Sequence, residues 1–242
     1  MSIFSDIWSV CDDILSLVFP PRCIICGGTL GHEEQDICFV CLQRIPTTNF
    51  ANEKENIVWQ LFSGYIPIED AASLYWFIEN SDWRGVVHRF KYSGQWLLAK
   101  KMGGWLGKNL LYSPNFNEID IVVPIPLHPL RRMWRSYNQS EMLALGVARA
   151  MNIECDSRSV RRSRYNESQT RKRRGDRWKN VEDIFTVLHP ERLRGRHILL
   201  VDDVLTTGAT ILSCAKSIIA ACEGDVRISI ATLAVSQHSF KR

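Results

Sequence analysis

The chain has 242 residues and a net charge of +4, with 45% hydrophobic and 23% charged residues. These proportions are typical of globular proteins and exclude a disordered or fibrous chain. The length predicts one large domain with a small appendage. No apolar run approaches the roughly 20 residues that cross a bilayer, and no basic flank precedes the first apolar segment, so we expect a cytoplasmic protein without a signal peptide or membrane span.

The first segment, residues 3–19, has the pattern of an amphipathic helix that ends at Pro20 and Pro21. We favour a helix that docks on the main domain or on a second subunit. Binding to a membrane surface is the alternative, against which the lack of lysine and arginine argues. The apolar residues at helical spacing are Ile3, Ile7, Val10, Ile14, Leu17 and Val18, and the acidic ones between them are Asp6, Asp12 and Asp13.

Four of the eight cysteines form two CxxC pairs, Cys23 with Cys26 and Cys38 with Cys41. Thiolates two residues apart on a tight turn converge on one point, so the two pairs predict a tetrahedral structural zinc site with no open coordination position. A redox or iron–sulfur site and four unliganded thiols are the alternatives. The other four cysteines have no motif context and are interpreted as small apolar residues.

Beyond residue 64, apolar segments of two lengths alternate along the chain. We predict strands at 71–78, 119–125, 181–188, 197–201 and 226–235, and helices at 83–92, 96–111, 140–151 and 209–221. Gly103 and Gly104 weaken the prediction of the second helix. Apolar strands that alternate with helices predict a parallel sheet covered on both faces, in which ligands bind where strands end and helices begin.

The most informative stretch runs from Ile198 to Thr210. A buried strand is followed by Asp202 and Asp203, which can accept hydrogen bonds from adjacent sugar hydroxyls, directly or through Mg²⁺. A small hydroxyl-rich loop then begins a helix, whose N–H groups and dipole favour a phosphate, and Gly208 permits close approach of a ligand. The alternative is an ordinary strand–turn–helix junction with two solvated aspartates. A Walker loop is excluded because its GxxxxGK[ST] pattern is missing.

This stretch resembles the signature with which type I phosphoribosyltransferases bind 5-phosphoribosyl-1-pyrophosphate. Further motifs extend the resemblance, over essentially the whole chain, to the ComF family of competence-associated phosphoribosyltransferase-like proteins. Ser136 departs from the family pattern, which usually has glycine before the aromatic–Asn–Gln run. The motifs are the cysteine segment 23–41, HRFKYSG at 88–94, VPIPLH at 123–128 and YNQS at 137–140.

The resemblance implies a role for each matching position. Asp202 and Asp203 would act in catalysis and hold the ribose 2′- and 3′-hydroxyls. Two loops would bind the phosphates: Thr206, Thr207, Gly208, Ala209 and Thr210 the 5′-phosphate, and Pro126, Leu127 and His128 the pyrophosphate. Segment 161–177 falls where type I enzymes carry a flexible hood over the active site, with Arg162 and Arg177 as candidate catalytic residues and Gln169 as a further candidate.

If the protein is an enzyme, it displaces pyrophosphate from ribose C1, and Mg²⁺ and arginines stabilise the departing charge. Arg131 and Arg132 are candidates for this, or are solvated surface residues. The sequence contains no convincing general base for an acceptor, because His88 and His128 are more often structural or surface residues. The acceptor is not identified.

A second hypothesis concerns the basic segment 158–179, which carries ten lysines and arginines against two acidic residues, a local charge of +8. Cations that follow a phosphate backbone, together with aromatic residues that stack on bases, favour single-stranded DNA. The protein would then keep the phosphoribosyl pocket as a sensor or relic. An active-site hood and a solvated basic loop are the alternative interpretations of the segment.

These patterns divide the chain into three parts. Residues 1–45 form the helix and zinc module, 46–64 a polar linker, and 65–242 an α/β phosphoribosyltransferase-like domain with a parallel sheet. The implied partners are phosphoribosyl pyrophosphate with Mg²⁺, single-stranded DNA, and a competence helicase or another uptake protein that contacts the helix and zinc module.

Overall fold

The structure is a computed structural model that describes residues 20–78, 83, 85–86, 89, 94–128, 137–163, 184–237 and 240. The predicted helix 3–19 therefore lies outside the described residues. Most of the predicted helix 83–92 and most of the basic segment 158–179 also lie outside them. None of the helices within the described ranges is long and apolar enough to cross a membrane.

The main body is a parallel sheet. Within the described ranges its order is β1-β7-β6-β2-β3, and each neighbouring pair runs parallel. These strands are β1 (Ala71–Phe77), β2 (Ile121–Pro124), β3 (Glu154–Cys155), β6 (His197–Leu205) and β7 (Arg227–Ser236). A separate antiparallel pair is formed by β4 (Val160–Arg162) and β5 (Phe185–Val187).

Helices flank the sheet and bury their apolar faces in one continuous core. They are α1 (Phe39–Gln43), α2 (Ile57–Ser63), α3 (Trp96–Leu111), α4 (Gln139–Met151) and α5 (Ala209–Ala221), with short 3-10 turns at Pro114–Phe116 and Pro190–Arg192. The central strands are apolar on both sides because helices cover them. The predicted fold class, a parallel sheet flanked by helices with a small cysteine module, is confirmed.

Helices α3 and α4 lie against each other with little space between their backbones. A Cβ added at Gly103 would lie 2.1 Å from the Leu143 carbonyl oxygen, and one at Gly146 would lie 2.1 Å from the Lys100 carbonyl oxygen. Only glycine fits at these two positions. The glycines that weaken the helix prediction locally are therefore required by the packing of α3 on α4.

Residues 46–64 contact the sheet at two places. The Thr48 N–H donates to the Leu74 carbonyl at 3.0 Å, and the Trp76 N–H donates to the Pro46 carbonyl at 2.7 Å, so residues 46–48 pair antiparallel with β1. Asn56 caps α2 and also donates to the Ala71 carbonyl at 2.7 Å. The domain boundaries given above stay a prediction.

Candidate functional site

The four cysteines of the two CxxC pairs form a compact cluster. Their Sγ atoms all lie within 4.8 Å of one another, and those of Cys26 and Cys38 are 3.8 Å apart. A tetrahedral zinc ion with Zn–S bonds of about 2.3 Å needs sulfur atoms separated by about 3.8 Å. The cluster therefore has the size and the donor atoms that a structural zinc ion requires.

Backbone N–H groups point at these sulfur atoms. The N–H groups of Ile25 and Cys38 donate to Cys23 Sγ, and that of Gly28 donates to Cys26 Sγ, each at 3.4 Å. Burial alone would raise the pKa of the Cys23 thiol, but the N–H donors around it lower the pKa to about 6. Burial and the neighbouring sulfurs raise the pKa of Cys41 in the same cluster. The N–H donors therefore favour a thiolate at Cys23 first, and zinc binds the deprotonated sulfur.

The carboxyl ends of β2 and β6 form the second candidate site. Asp202 and Asp203 lie inside β6, which pairs with β7 as far as Leu205 and is longer than predicted. Asp202 is partly exposed and Asp203 is buried. The Ser140 hydroxyl, in the first turn of α4, donates to Asp202 Oδ1 at 2.7 Å, so β6 and α4 meet at this carboxylate.

The end of β2 is fixed beside β6 by two hydrogen bonds. The Ile125 N–H donates to the Val201 carbonyl at 2.9 Å, and Asn138, which caps α4, donates to the Ile125 carbonyl at 3.2 Å. The loop 126–128 therefore leaves the sheet next to the strand that carries the two aspartates. Of its residues, His128 is buried, whereas Pro126 and Leu127 are partly exposed.

The loop after β6 begins α5 at a left-handed glycine. Gly208 has φ 76° and provides no capping side chain, and its backbone approaches Phe62, whose ring atoms would lie 3.0 Å from an added Cβ. The Thr207 hydroxyl accepts a hydrogen bond from the Ala209 N–H at 3.5 Å. Thr206 is exposed, and Thr207 and Thr210 are partly exposed. A helix N-terminus with exposed hydroxyls beside it is suited to binding an anion.

A cavity of about 350 Å³ opens beside loop 126–128, and its lining contains neither of the two aspartates and no residue of loop 206–210. It lies between the end of β2, the first turn of α4 and the strand β4, and three arginines contribute to its wall. Arg162 also lies over the Phe185 ring, 5.6 Å from the ring centroid. The lining residues are Pro124, Pro126, Leu127, Asn138, Glu141, Ser157, Arg158, Val160, Arg161, Arg162 and Leu188.

Arg162 and Asp202 both influence the pKa of one buried thiol of α5, that of Cys214. Burial raises the pKa of Cys214, the Asp202 carboxylate raises it further, and the Arg162 guanidinium opposes both effects. Two of the candidate catalytic residues are therefore close enough to the same thiol to influence its ionisation.

Burial also raises the pKa of Tyr75, and the charge of Asp203 adds to this effect. The Tyr75 hydroxyl is buried without a hydrogen-bond partner. A buried hydroxyl without a protein partner is a polar group that a ligand or an ordered water can satisfy.

Comparisons with known proteins give a family match for the cysteine module and several relatives of the chain. The family model of the double zinc ribbon domain matches residues 14–51. The chain is 29% identical over 134 residues to the DNA utilization protein YhgH of Escherichia coli K12, covering 54% of this chain and 58% of that protein. It is 23% identical to competence protein F of Haemophilus influenzae, covering 81% and 89%, and 32% identical to competence protein ComFC of Streptococcus pneumoniae, covering 62% and 63%.

The resemblance to the ComF family is thereby confirmed. The segment matched by the zinc ribbon model contains four cysteines, enough for one tetrahedral ion, and the matched module supports a structural zinc. Two solved structures are also similar, the allosteric regulatory enzyme of purine biosynthesis and the glutamine phosphoribosylpyrophosphate amidotransferase from B. subtilis. Each is 18% identical with TM-scores of 0.39 and 0.38, covering 60% of this chain and 30% of that one.

The structure brings most of the predicted site residues to one end of the sheet. The two aspartates, loop 126–128, loop 206–210 and Arg162 all lie at or beside the carboxyl ends of β2 and β6. Arg177, Gln169, Arg131, Arg132 and His88 lie outside the described residues. The roles given to all of these residues stay predictions.

Sequence reasoning missed Ser140, Asn138 and Glu141. The YNQS motif at 137–140 carries the family resemblance, but the sequence assigns no role to its members. Ser140 is 62 residues away from Asp202, so no local pattern reveals their contact. The motif nevertheless begins a helix directly after the loop at the end of β2, and this position is a usable signal for a ligand site.

Proposed function

We propose that the protein binds 5-phosphoribosyl-1-pyrophosphate at the carboxyl ends of β2 and β6, transfers the phosphoribosyl group to an acceptor, and serves in DNA uptake. The observation that carries this proposal is the meeting of Asp202 on β6 with Ser140 on α4, beside the phosphate-type loop 206–210. Two relatives are named competence proteins and another a DNA utilization protein, which supports the cellular role.

Each part of the site has a distinct task in this proposal. The N-terminus of α5 and the hydroxyls of Thr206, Thr207 and Thr210 hold the 5′-phosphate. The carboxylates of Asp202 and Asp203 accept hydrogen bonds from the ribose hydroxyls, and Ser140 orients the first of them.

The leaving group departs on the side where the cavity lies. The arginines of β4 and the loop before it stabilise its developing negative charge. Bound Mg²⁺, held through the Asp202 and Asp203 carboxylates and the ligand's own oxygens, would supply further positive charge there.

Thermal unfolding with and without phosphoribosyl pyrophosphate and Mg²⁺ tests the proposal. Ligand at 100 times its dissociation constant adds about 2.7 kcal/mol of stability, which corresponds to roughly 5–10 °C in melting temperature for a chain of this size. We expect this shift in the natural protein and its loss in Asp202→Asn/Asp203→Asn, because the sugar hydroxyls lose their charged acceptors. Release of pyrophosphate upon addition of candidate acceptors would then identify the reaction.

Asp225→Asn is the matched control. Asp225 is exposed before the amino end of β7, so removal of this carboxylate should leave the ligand-induced shift unchanged. An equal shift in the double variant, or none in the natural protein, would contradict the proposed pocket.

The second candidate function is binding of single-stranded DNA with the pocket as a sensor or relic. Arg158 and Arg161, at the start of the basic segment, are both exposed, and the name of the Escherichia coli relative refers to DNA. The run Arg171, Lys172, Arg173 and Arg174 lies outside the described residues. Changing these four residues to Ala should flatten the salt dependence of oligonucleotide binding, because fewer counterions are released.

Asp202→Asn/Asp203→Asn serves as the control for this measurement, since it keeps all the basic residues. A salt dependence that is as steep in the four-residue variant as in the control would refute binding through this run.

A further inference from the structure

A second cavity of about 430 Å³ is a surface groove along the line where α3 meets α4, away from the loops of the candidate site. We call it the α3–α4 groove. Its floor consists of small residues, and four cations surround it. No acidic residue contributes to this lining. The lining residues are Leu97, Lys100, Lys101, Gly104, Lys108, Gly146, Arg149 and Ala150.

The cations of the groove are largely without acidic neighbours. Lys101 pairs with Asp36 of the cysteine module at 2.5 Å. Across the described part of the chain, no ion pair joins Lys100, Lys108 or Arg149 to a carboxylate. Three like charges around one groove repel one another, and an anionic occupant would relieve that repulsion.

The floor of the groove indicates what kind of anion fits. Gly104 has no atom within 4 Å of an added Cβ and Ala150 is small, so a backbone can approach closely here, and Leu97 is 57% exposed at one end. An apolar floor with a cationic rim matches an amphipathic helix that carries carboxylates along its polar flank. A nucleic acid strand fits less well, because no aromatic side chain contributes to the lining for a base to stack on.

The chain itself contains such a segment. Residues 3–19 have apolar residues at helical spacing, three aspartates, and no lysine or arginine. This segment lies outside the described residues. Its charge is opposite to that of the α3–α4 groove, and its apolar stripe matches the apolar floor.

The end of the segment is tied to the edge of the groove. The Ile24 N–H donates to the Asp36 carbonyl at 2.9 Å, and the carboxylate of the same Asp36 receives Lys101. Ile24 is the fourth residue after Pro20, and four residue steps span at most about 14 Å. The carboxyl end of residues 3–19 is therefore tethered near the groove, which gives the segment a high effective concentration there.

We propose that residues 3–19 dock as an amphipathic helix in the α3–α4 groove, with Asp12 and Asp13 facing Lys108 and Arg149. The docked helix would fasten the zinc module to the main domain through a second contact besides the Asp36–Lys101 ion pair.

Crosslinking of the zinc-loaded full chain tests this docking. Cys11 directly precedes Asp12, and Leu111 follows Lys108 by one turn on the same side of α3. A short bifunctional thiol reagent should therefore join Cys11 to a new thiol in Leu111→Cys. Leu188→Cys is the matched control, because Leu188 is similarly exposed but lines the other cavity. We expect severalfold more Cys11 crosslink at position 111 than at position 188, within single chains, as mapped by peptide mass spectrometry.

Charge reversal separates docking from chance proximity. Lys108→Glu/Arg149→Glu in the Leu111→Cys background should abolish the excess crosslink, and adding Asp12→Lys/Asp13→Lys should restore it. Equal crosslinking at positions 111 and 188, or no restoration, would overturn the proposal. Crosslinks between two chains would replace it with docking on a second copy. An unchanged crosslink together with weaker oligonucleotide binding in the charge-reversed protein would assign the groove to nucleic acid instead.

Discussion

At the scale of single residues, Asp156 shows how one carboxylate positions a wall of the cavity. Its side chain is 1% exposed and pairs with Arg192 Nε at 3.0 Å. It also accepts hydrogen bonds from the Arg158 N–H at 2.8 Å, the Ser159 N–H at 2.9 Å and the Ser159 hydroxyl at 2.6 Å. The turn that these bonds fix leads directly into β4, and residues of this turn and strand line the cavity.

We expect Asp156→Asn to lower the free energy of unfolding at neutral pH by about 1–3 kcal/mol, because hydrogen bonds to a charged acceptor become weaker. Burial alone would raise the pKa of Asp156, but the donors of Ser159 and Arg158 and the charge of Arg192 hold it below the ordinary value. The stabilisation is therefore complete above the unfolded-state pKa of about 3.9 and is lost as pH falls through the lower folded-state pKa.

Thermal unfolding of both proteins from neutral to acidic pH measures this effect. Glu191→Gln is the control, since that carboxylate is 68% exposed and its loss should change stability by less than about 0.5 kcal/mol. A difference between natural protein and Asp156→Asn that stays constant at all pH values would show that the charge is not responsible.

At the scale of elements, the crossing of α3 and α4 gives the sharpest test of packing. We expect Gly103→Ala to destabilise the protein by about 1–3 kcal/mol or more, because its Cβ would overlap the Leu143 carbonyl. A loss of this size lowers the melting temperature by about 2–4 °C for each kcal/mol. Thermal unfolding of the variant measures this shift.

Gly104→Ala is the matched control for Gly103→Ala. It has no atom within 4 Å of the new methyl group and should leave stability unchanged or raise it by up to about 1 kcal/mol, since alanine favours a helix. Similar melting temperatures for the two variants would contradict the close crossing.

The helices were predictable from the sequence where apolar periodicity extended over many residues. The predicted bounds of 96–111 and 209–221 match α3 and α5, and those of α4 differ by one residue. The prediction of β6 ended at Val201, because two aspartates do not have the pattern of a strand. Among the described strands, β7 is the one that pairs with Asp202 to Leu205, and it lies more than twenty residues further along the chain.

The candidate site was predictable only where local motifs carry it. The loop 206–210 and the aspartate pair form one continuous stretch, so the sequence shows them together. The Ser140–Asp202 contact, the cavity wall supplied by β4, and the position of Arg162 near Cys214 depend on how distant segments pack. The zinc cluster is the opposite case, because CxxC spacing reports its geometry directly.

At the scale of the whole molecule, the cysteine module is part of the continuous core. Cys23 and Cys41 are buried together with Leu30 and Ile37, and Asp36 reaches α3 through Lys101. We expect about one zinc ion per chain by metal analysis, and a chelator should lower the melting temperature by several degrees, since metal binding stabilises the folded module.

Cys26→Ser should lose the metal, whereas Cys155→Ser should keep it, because Cys155 lies in β3, outside the cluster. A natural protein with less than one zinc per chain, or a melting temperature insensitive to chelation, would argue against the structural zinc.

The antiparallel pairing of residues 46–48 with β1 gives the metal a wider importance. In the described sheet β1 is an outer strand, and an outer strand with unpaired N–H and C=O groups is a template to which another chain can add a strand. Residues 46–48 occupy that template, and only a few residues separate them from Cys41. If loss of the ion unravels the module, it also uncovers this row of backbone groups. Zinc would then protect the protein from self-association as well as from unfolding.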